Sequence, residues 1–526
     1  MSEVLTVISP LNEQVLNTYA ISSQAEINNA LLQAKTAAAV WQLIPVKQRV
    51  EQLAKLETII LAEFDNIVDM IMKVTGKVKT EVLLGEIYSV LAALRYYKKH
   101  AATILAPCPV HTPPLLFPQA SAKFEYHPFG VVAIISPWNF PFQLTVLPLL
   151  TALISGNACI IKLSELSIPI GDLIIELFAK LNLPEGLIQQ VIGDGIVGKQ
   201  LITAKPDLVF FTGGLNAGRA VMATAAQHPI PVILELGGKD AMIVFNDAHL
   251  ERAVNAALYG AFSNSGQVCV SIERCYVEKD SYIKFVELLN TAITTIKLGE
   301  DIGALTSLKQ FEIIKSHYDD AISKGAKASS PLELNGRYLK PVLLWDITHD
   351  MKIMREETFG ALLPVMAFNN EQQVIELAND TEYGLNASIW SCDIKKAERI
   401  AKQLQVGNWA VNDVIKNIGH AALPFGGVKN SGFGRYHGAE GLKQFTYTVS
   451  SLTSRNSLNK EPNWFPYSDT RYDELKGFID LLFGSGNIIQ RISRNWQALQ
   501  AFREYASLNL RQHTRNLLIF FTRKSP

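Results

Sequence analysis

Apolar positions recur at helical spacing from residue 24 to residue 73, among abundant Ala, Leu, Glu, Gln and Lys and with no interior glycine. The pattern predicts a helical opening with Pro45 as its break, because proline removes an intrahelical donor and clashes with the preceding turn. The Pro-rich run 107–118 cannot propagate a helix and predicts extended chain or a sheet edge, hence a boundary. Short β-branched runs at 131–135, 158–163, 188–192, 208–211 and 232–236 then alternate with helical stretches at 143–154, 170–181 and 217–226. Such alternation predicts parallel βαβ units with helices on both sheet faces, a doubly wound α/β domain.

A second series follows, with a strand at 241–245, a long helix at 248–262, a strand at 274–278 and helical segments from 282 onward. It predicts a second α/β domain of similar size, and two such domains leave a cleft where ligands commonly sit. No internal repeat is evident.

Length adds that 526 residues, at about 150 per domain, make three or four folding units. Forty-nine Lys and Arg cancel 49 Asp and Glu, so no net field gathers phosphate backbones, and nucleic acid is not an expected partner. Five cysteines (Cys108, Cys159, Cys269, Cys275, Cys392) are sparse, odd in number and mostly far apart, which points to a reducing compartment. The start Met1-Ser2-Glu3-Val4 lacks the basic stretch and apolar core of a signal peptide. The most apolar stretches, 144–154 and 517–521, fall short of the roughly 20 residues that cross a bilayer. A cytoplasmic protein is expected.

Three segments carry candidate chemistry. Phe262-Ser-Asn-Ser-Gly-Gln-Val-Cys269 places a thiol in a Gly-containing turn after a long helix, and a thiol needs only partial activation to act as a nucleophile. An isolated cysteine is more often a small buried hydrophobe. Glu235-Leu-Gly-Gly-Lys239 sets a carboxylate at a strand end; partial desolvation would raise its pKa and suit it to general base work, whereas a solvated strand-end carboxylate is the bland reading. Ser136-Pro-Trp-Asn-Phe-Pro141 is a rigid turn from which the Asn139 amide can serve as an oxyanion donor or form an ordinary Asx turn.

With Glu357-Thr-Phe-Gly360 and Pro424-Phe-Gly-Gly-Val-Lys-Asn-Ser-Gly432, these segments closely resemble the aldehyde dehydrogenase superfamily over roughly residues 7–450. Five blocks in the family's order make the resemblance specific. The continuation Arg435-Tyr-His-Gly438 leans toward the branch of class 3 and fatty-aldehyde enzymes.

The resemblance implies that Cys269 attacks an aldehyde carbonyl, that the Asn139 amide and the Cys269 N–H hold the oxyanion, and that Glu235 activates the water that hydrolyses the thioester. It implies a nicotinamide cofactor on Trp138, Lys162, Glu165, Gly195, Gly213, Gly214, Gly218, Glu357 and Phe359. In the family, the lysine and glutamate of the Lys162-Leu-Ser-Glu165 block grip the adenine-side ribose. Glu165 would repel a 2′-phosphate, so NAD is expected over NADP, although some members with glutamate here use both. Gly193-Asp-Gly195 with Gly198 does not make the G-x-G-x-x-G spacing, while Phe211-Thr-Gly-Gly214 before a helix could face a pyrophosphate. The family usually has serine where Gly214 stands. No histidine or cysteine spacing fits zinc, so no metal is expected.

The domain division implied is 1–104 with 123–236 for NAD binding, 237–425 for catalysis, and 105–122 with 426–450 as an oligomerisation flap. Residues 451–526 form an extension that a typical member lacks. The flap implies a homodimer, with a tetramer left open. In the extension, 462–466 reads as a linker and 484–486 as a break. Ile488, Ile492, Trp496, Leu499 and Phe502 then share a helical face that Arg503 interrupts. Residues 491–526 carry Arg491, Arg494, Arg503, Arg511, Arg515, Arg523 and Lys524 against the single acid Glu504. This suits either an interfacial helix on anionic lipid or a helix packed on a partner subunit.

A relative that passes the thioester to coenzyme A is disfavoured by Glu235, and an inactive scaffold by Cys269, Glu235 and Asn139 together. Aliphatic, aromatic and apocarotenoid-like aldehydes all remain open as substrates.

Overall fold

The computed structural model describes residues 4–113, 117, 119–455, 460–461 and 463–501, which divide into two units: one of 1–105 with 127–447, the other of 106–126 with 448–526.

In the larger unit, an antiparallel hairpin, Val4–Ile8 with Val15–Ala20, precedes the helices. The helical opening is cut into four pieces, Gln24–Trp41, Val46–Leu53, Leu56–Ala62 and Phe64–Thr75, rather than broken only at Pro45. Ser23 starts the first with a reciprocal capping box to Glu26. Trp41 ends it fully buried, its indole N–H donating to the Leu153 carbonyl at 2.8 Å.

The dinucleotide-type sheet has six strands in the order Gly432–Phe433, Val232–Glu235, Leu208–Thr212, Val131–Ser136, Ala158–Leu163, Ile188–Gln190. All neighbours are parallel except the Gly432–Phe433 edge. Val131–Ser136 and Ala158–Leu163 are buried at every residue, as strands covered by helices on both faces must be. Between them, the helix Gln143–Ser155 tolerates the internal Pro148. The Leu144 carbonyl, four residues before that proline, accepts the Ser136 hydroxyl at 3.3 Å instead.

The second sheet has seven strands in the order Lys327–Ala328, Val342–Trp345, Leu362–Phe368, Ile272–Glu278, Asp240–Val244, Asn386–Trp390, Asn408–Val411. It is parallel apart from the Lys327–Ala328 edge. Met242, Ile243, Tyr276, Val277, Leu363 and Ile389 form the centre of its core. The fold is thus the doubly wound α/β arrangement with a second α/β domain.

One expected boundary differs. Residues 426–445 belong to the larger unit, because Gly432 and Phe433 pair with Glu235 and Leu234 and close that sheet's edge. The strand Thr446–Ser454 starts in the larger unit and continues into the smaller one from Thr448.

The smaller unit holds a three-stranded sheet in the order Thr446–Ser454, Ala120–Pro128, Cys108–Val110. Part of the Pro-rich run, residues 114–116 and 118, lies outside the described residues, as do 462 and everything beyond 501. A helix the sequence pattern did not predict, Asp469–Phe483, precedes the break at 484–486. The helix expected from 488 stops at Arg494 and resumes as Trp496–Ala501. Asn495 turns the chain there, its amide donating to Asp480 and to the Arg491 carbonyl. Asp480 also receives Arg494 through two bonds, 2.5 and 2.7 Å.

Candidate active site

The parallel strands deliver their carboxyl ends to one cleft of about 890 Å³ in the larger unit, where ligands settle in open α/β folds. Every site residue expected from the sequence lines it except Gly218. Gly218 lies in the first turn of the helix Leu215–Ala225, packed on Leu236, where a Cβ would stand 2.6 Å from Cδ2. Its smallness serves helix-to-strand packing rather than the cleft wall.

Cys269 follows a backbone held in an unusual conformation. Asn264, Ser265 and Gly266 have φ of +51°, +58° and +74°, a left-handed run that favours glycine at one position only. Local bonds over-determine it. The Asn264 N–H donates to Glu81 at 2.5 Å, the Asn264 amide to the Gln267 carbonyl at 3.1 Å, and the Ser265 hydroxyl to the Gly303 carbonyl at 2.6 Å. The thiol that results is half-buried.

Glu235 ends its strand 2% exposed, and neither carboxyl oxygen has a hydrogen-bond partner among the described residues. Burial pushes its pKa up to about 8, and the only opposing influence is the neighbouring Cys269 thiol. That thiol is itself pushed well above its ordinary range, first by burial and then by the negative charges of Glu235, Asp240 and Glu357. The influence is one-sided: the thiol favours the Glu235 carboxylate, whereas the Glu235 charge disfavours the thiolate.

Asn139 is 4% exposed and donates one amide hydrogen to the Gln267 carbonyl at 3.0 Å, which ties the Pro-punctuated turn to the cysteine loop. The Asn139 backbone carbonyl accepts from the buried Lys77 ammonium, which pairs with Glu86 at 2.5 Å. Glu86 lies in the π-helical turn Val82–Tyr88 and also accepts the Gln143 N–H at 2.8 Å. Neither Lys77 nor Glu86 stands in the five diagnostic blocks.

Glu357 accepts the Gly238 N–H at 3.1 Å. Burial, with the Glu273 charge behind it, pushes its pKa up to about 8. Gly238 must lack a side chain, since a Cβ there would stand 2.6 Å from the Cys269 carbonyl oxygen. Phe359, at φ +51°, meets Trp138 edge-on with ring centroids 5.6 Å apart. The segment carrying both is hung on Glu273, which accepts the N–H groups of Thr358 and Phe359, each at 2.7 Å, and pairs with buried Lys239 at 2.5 Å.

The opposite end of the cleft fits a dinucleotide. The helix Leu215–Ala225 begins after Gly214 with no side-chain cap, so its first N–H groups remain available to an anion. A Cβ at Gly195 or Gly214 would meet nothing within 4 Å, so both border open space, whereas Gly213 abuts Phe211. Lys162 is 4% exposed; burial lowers its pKa while Glu165 and Asp194 counteract. Glu165 is half-buried beside it and accepts the Ser164 hydroxyl at 3.1 Å. Among the described residues no group of three or more His, Cys, Asp and Glu could hold a metal ion.

The sequence profile of the aldehyde dehydrogenase family matches residues 1–450. The chain is 56% identical to a 4,4'-diapolycopene aldehyde oxidase of Methylomonas sp, over 98% of both chains. It is 34% identical to a putative succinate-semialdehyde dehydrogenase [NADP(+)] 2 of Mycobacterium ulcerans, over 84% of this chain and 86% of that one. Among solved structures, an aldehyde dehydrogenase of Brucella melitensis biovar abortus superposes with a TM-score of 0.83 at 31% identity, covering 86% of this chain and 94% of that one. A betaine aldehyde dehydrogenase of Staphylococcus aureus in complex with NAD+ gives 0.82 at 29% identity, covering 88% and 94%. The cysteine, carboxylate and amide at one strand-end cleft, and a match over most of the chain, make this protein a member of the aldehyde dehydrogenase family and an NAD(P)-dependent enzyme of aldehyde oxidation.

Proposed function

We propose that the enzyme converts a long apolar aldehyde of the apocarotenoid class to its carboxylic acid, with Cys269 as nucleophile. The observation that carries the substrate class is the extent of the likeness to the diapolycopene aldehyde oxidase. It runs through 98% of both chains, and so includes the extension that lies beyond the family match at residue 450.

The Cys269 sulfur, once ionised, attacks the carbonyl carbon. The second amide hydrogen of Asn139 and the backbone N–H of Cys269 hold the oxyanion, a stabilisation that acts only as charge develops. The nicotinamide, when bound, supplies the hydride acceptor. Trp138, Glu357 and Phe359 position that end of the cofactor, while Lys162, Glu165, Gly195, Gly213 and Gly214 hold the adenine side and pyrophosphate. Glu235 then takes a proton from water as the water oxygen adds to the thioester carbon. The carbon–sulfur bond breaks, the acid leaves and the thiolate is restored.

NAD is preferred to NADP, because the Glu165 carboxylate repels a 2′-phosphate. A homodimer forms through the sheet of the smaller unit, with a tetramer left open. Support comes from its two edge strands, Thr446–Ser454 and Cys108–Val110, which expose Tyr447, Leu452 and Val110. The extension rests on a membrane surface from the cytoplasmic side. Trp464, Phe465, Tyr467, Tyr472, Phe483 and Trp496 are all exposed, a composition that suits an interface, and the basic residues past 501 would meet anionic lipid. No described helix is long and apolar enough to cross a membrane.

The test is NADH production with saturated aldehydes of increasing length, a polyene dialdehyde and succinate semialdehyde. kcat/KM is expected to climb with apolar length and peak on the polyene. A preference for the short acidic semialdehyde would overturn the substrate class, and activity surviving Cys269→Ala would overturn the nucleophile.

A further inference from the structure

The segment that carries Glu357 and Phe359 lies against the helix Leu308–Ser323. Gln310, Ile314 and His317 recur there at i, i+4 and i+7, so they share one face of the helix. All three meet residues 358–360. The Gln310 amide donates to the Thr358 carbonyl at 2.8 Å, Gly360 packs so closely on Ile314 that a Cβ would collide with it, and the His317 ring places Nδ1 3.1 Å from the Thr358 hydroxyl oxygen.

Thr358 is thereby held at each of its polar atoms. Its N–H donates to Glu273, its carbonyl accepts from Gln310, and its hydroxyl meets both Lys239 Nζ and His317 Nδ1, each at 3.1 Å. The chemistry of these groups sets the direction of each bond. The Lys239 ammonium can only donate, so the hydroxyl oxygen accepts from it and the hydroxyl proton is left for Nδ1. The ring then carries its own proton on Nε2, which faces the Glu356 carboxylate at 3.5 Å, and Glu356 is on the cleft wall.

His317 is 2% exposed and takes part in none of the chemical steps above. Burial, then the Lys239 charge, lowers its pKa against the opposing charges of Glu273 and Glu356, so the ring is neutral and Nδ1 is free to accept. The next residue after Thr358 is Phe359, whose φ of +51° persists only where its surroundings over-determine it.

We infer that His317 is a positioning residue for the nicotinamide end of the cofactor: by accepting the Thr358 hydroxyl at Nδ1 it locks the segment 357–359 onto the helix that bears it. The inference rests on Glu357 and Phe359 holding that end of the cofactor.

Asparagine offers an acceptor close to the place of Nδ1, whereas leucine offers none, and Thr358→Val removes the hydroxyl while keeping the shape. Calorimetric titration of the whole enzyme with NAD, together with steady-state kinetics on hexanal and NAD, compares His317→Leu, His317→Asn, Thr358→Val and the double variant of His317→Leu with Thr358→Val. In His317→Leu, Kd and KM for NAD are expected to rise about ten-fold, the worth of a buried hydrogen bond left without its acceptor, with KM for hexanal unmoved. His317→Asn is expected to return most of the lost affinity, which a ring needed only for packing would not allow. The double variant is expected to bind NAD no more weakly than Thr358→Val alone, since both changes act through one hydroxyl.

NAD affinity unmoved in His317→Leu overturns the inference, as does additivity in the double variant or a failure of His317→Asn to restore binding. If the leucine variant does not fold, unmoved NAD affinity in Thr358→Val overturns it equally. Glu357→Ala that binds NAD as tightly as wild type would instead overturn the role of the segment in holding the cofactor.

Discussion

Lys77 and Glu86 meet at 2.5 Å with neither side chain exposed, and the same ammonium donates to the carbonyl of Asn139. A buried ion pair is weak evidence of stability, but removing one partner strands the other charge. Glu86→Gln or Lys77→Met should destabilise the fold by about 3–5 kcal/mol, read by urea unfolding. Lys77→Met with Glu86→Leu should recover most of that stability without recovering kcat, because the turn that aims the Asn139 amide has lost its anchor. Recovery of both would make the pair merely structural.

Glu273 is the peg for the Thr358–Phe359 backbone, so Glu273→Gln should weaken cofactor binding more than aldehyde binding. KM for NAD should rise about ten-fold or more, as charge-assisted bonds to two N–H groups become neutral ones. An unchanged KM for NAD would mean that Lys239 and Thr358 hold the segment alone.

Glu235 titrates at about 8 in the folded protein, far above an ordinary carboxylate. Base catalysis needs the ionised form, so hydrolysis should rise as pH passes about 8. The linkage has the opposite sign. A carboxyl whose pKa is raised by folding binds more protons in the native state, so its contribution to stability falls as pH rises from its unfolded pKa to about 8. Glu235→Gln should accordingly gain stability over wild type at pH 9 relative to pH 5. It should also speed alkylation of Cys269 by iodoacetamide at a fixed pH above about 8, where Glu235 is ionised and its charge holds the thiol pKa up. Slower alkylation would reverse that electrostatic relationship.

Glu165 stands beside Lys162 in the cleft. Glu165→Ser should shift the kcat/KM ratio toward NADP by about ten-fold or more, by removing a like charge from the 2′-phosphate. A ratio unmoved by the substitution would place cofactor choice elsewhere, and Lys199 on the same wall is the next residue to change.

The extension should carry membrane affinity. Cosedimentation with vesicles rich in anionic lipid should fall sharply on truncation at Ser485 and weaken with salt. Equal binding by both forms would take the basic segment past Ser485 out of the contact.

The strands at 131, 158, 208 and 232 were legible to within a residue or two, because a strand buried on both faces is a short apolar run bounded by turns. Cys269, Glu235 and Asn139 were legible as three local motifs. Less visible were the Glu273 peg and the Lys77–Glu86 anchor, whose partners are 85 and 62 residues away in the chain. Gly218 read as part of a phosphate cradle, yet its neighbour is Leu236.

Local pattern decides what short-range forces decide: which stretches bury an apolar face, where proline and glycine break them, and which side chains can attack, donate or take a proton. Charge states belong to the fold. An acid at a strand end is an ordinary carboxylate until helices and sheets exclude water from it, and only then does it hold its proton near pH 8 beside a thiol. The reason is that desolvation and strand register depend on groups tens to hundreds of residues apart, and no window of sequence contains both members of such a pair.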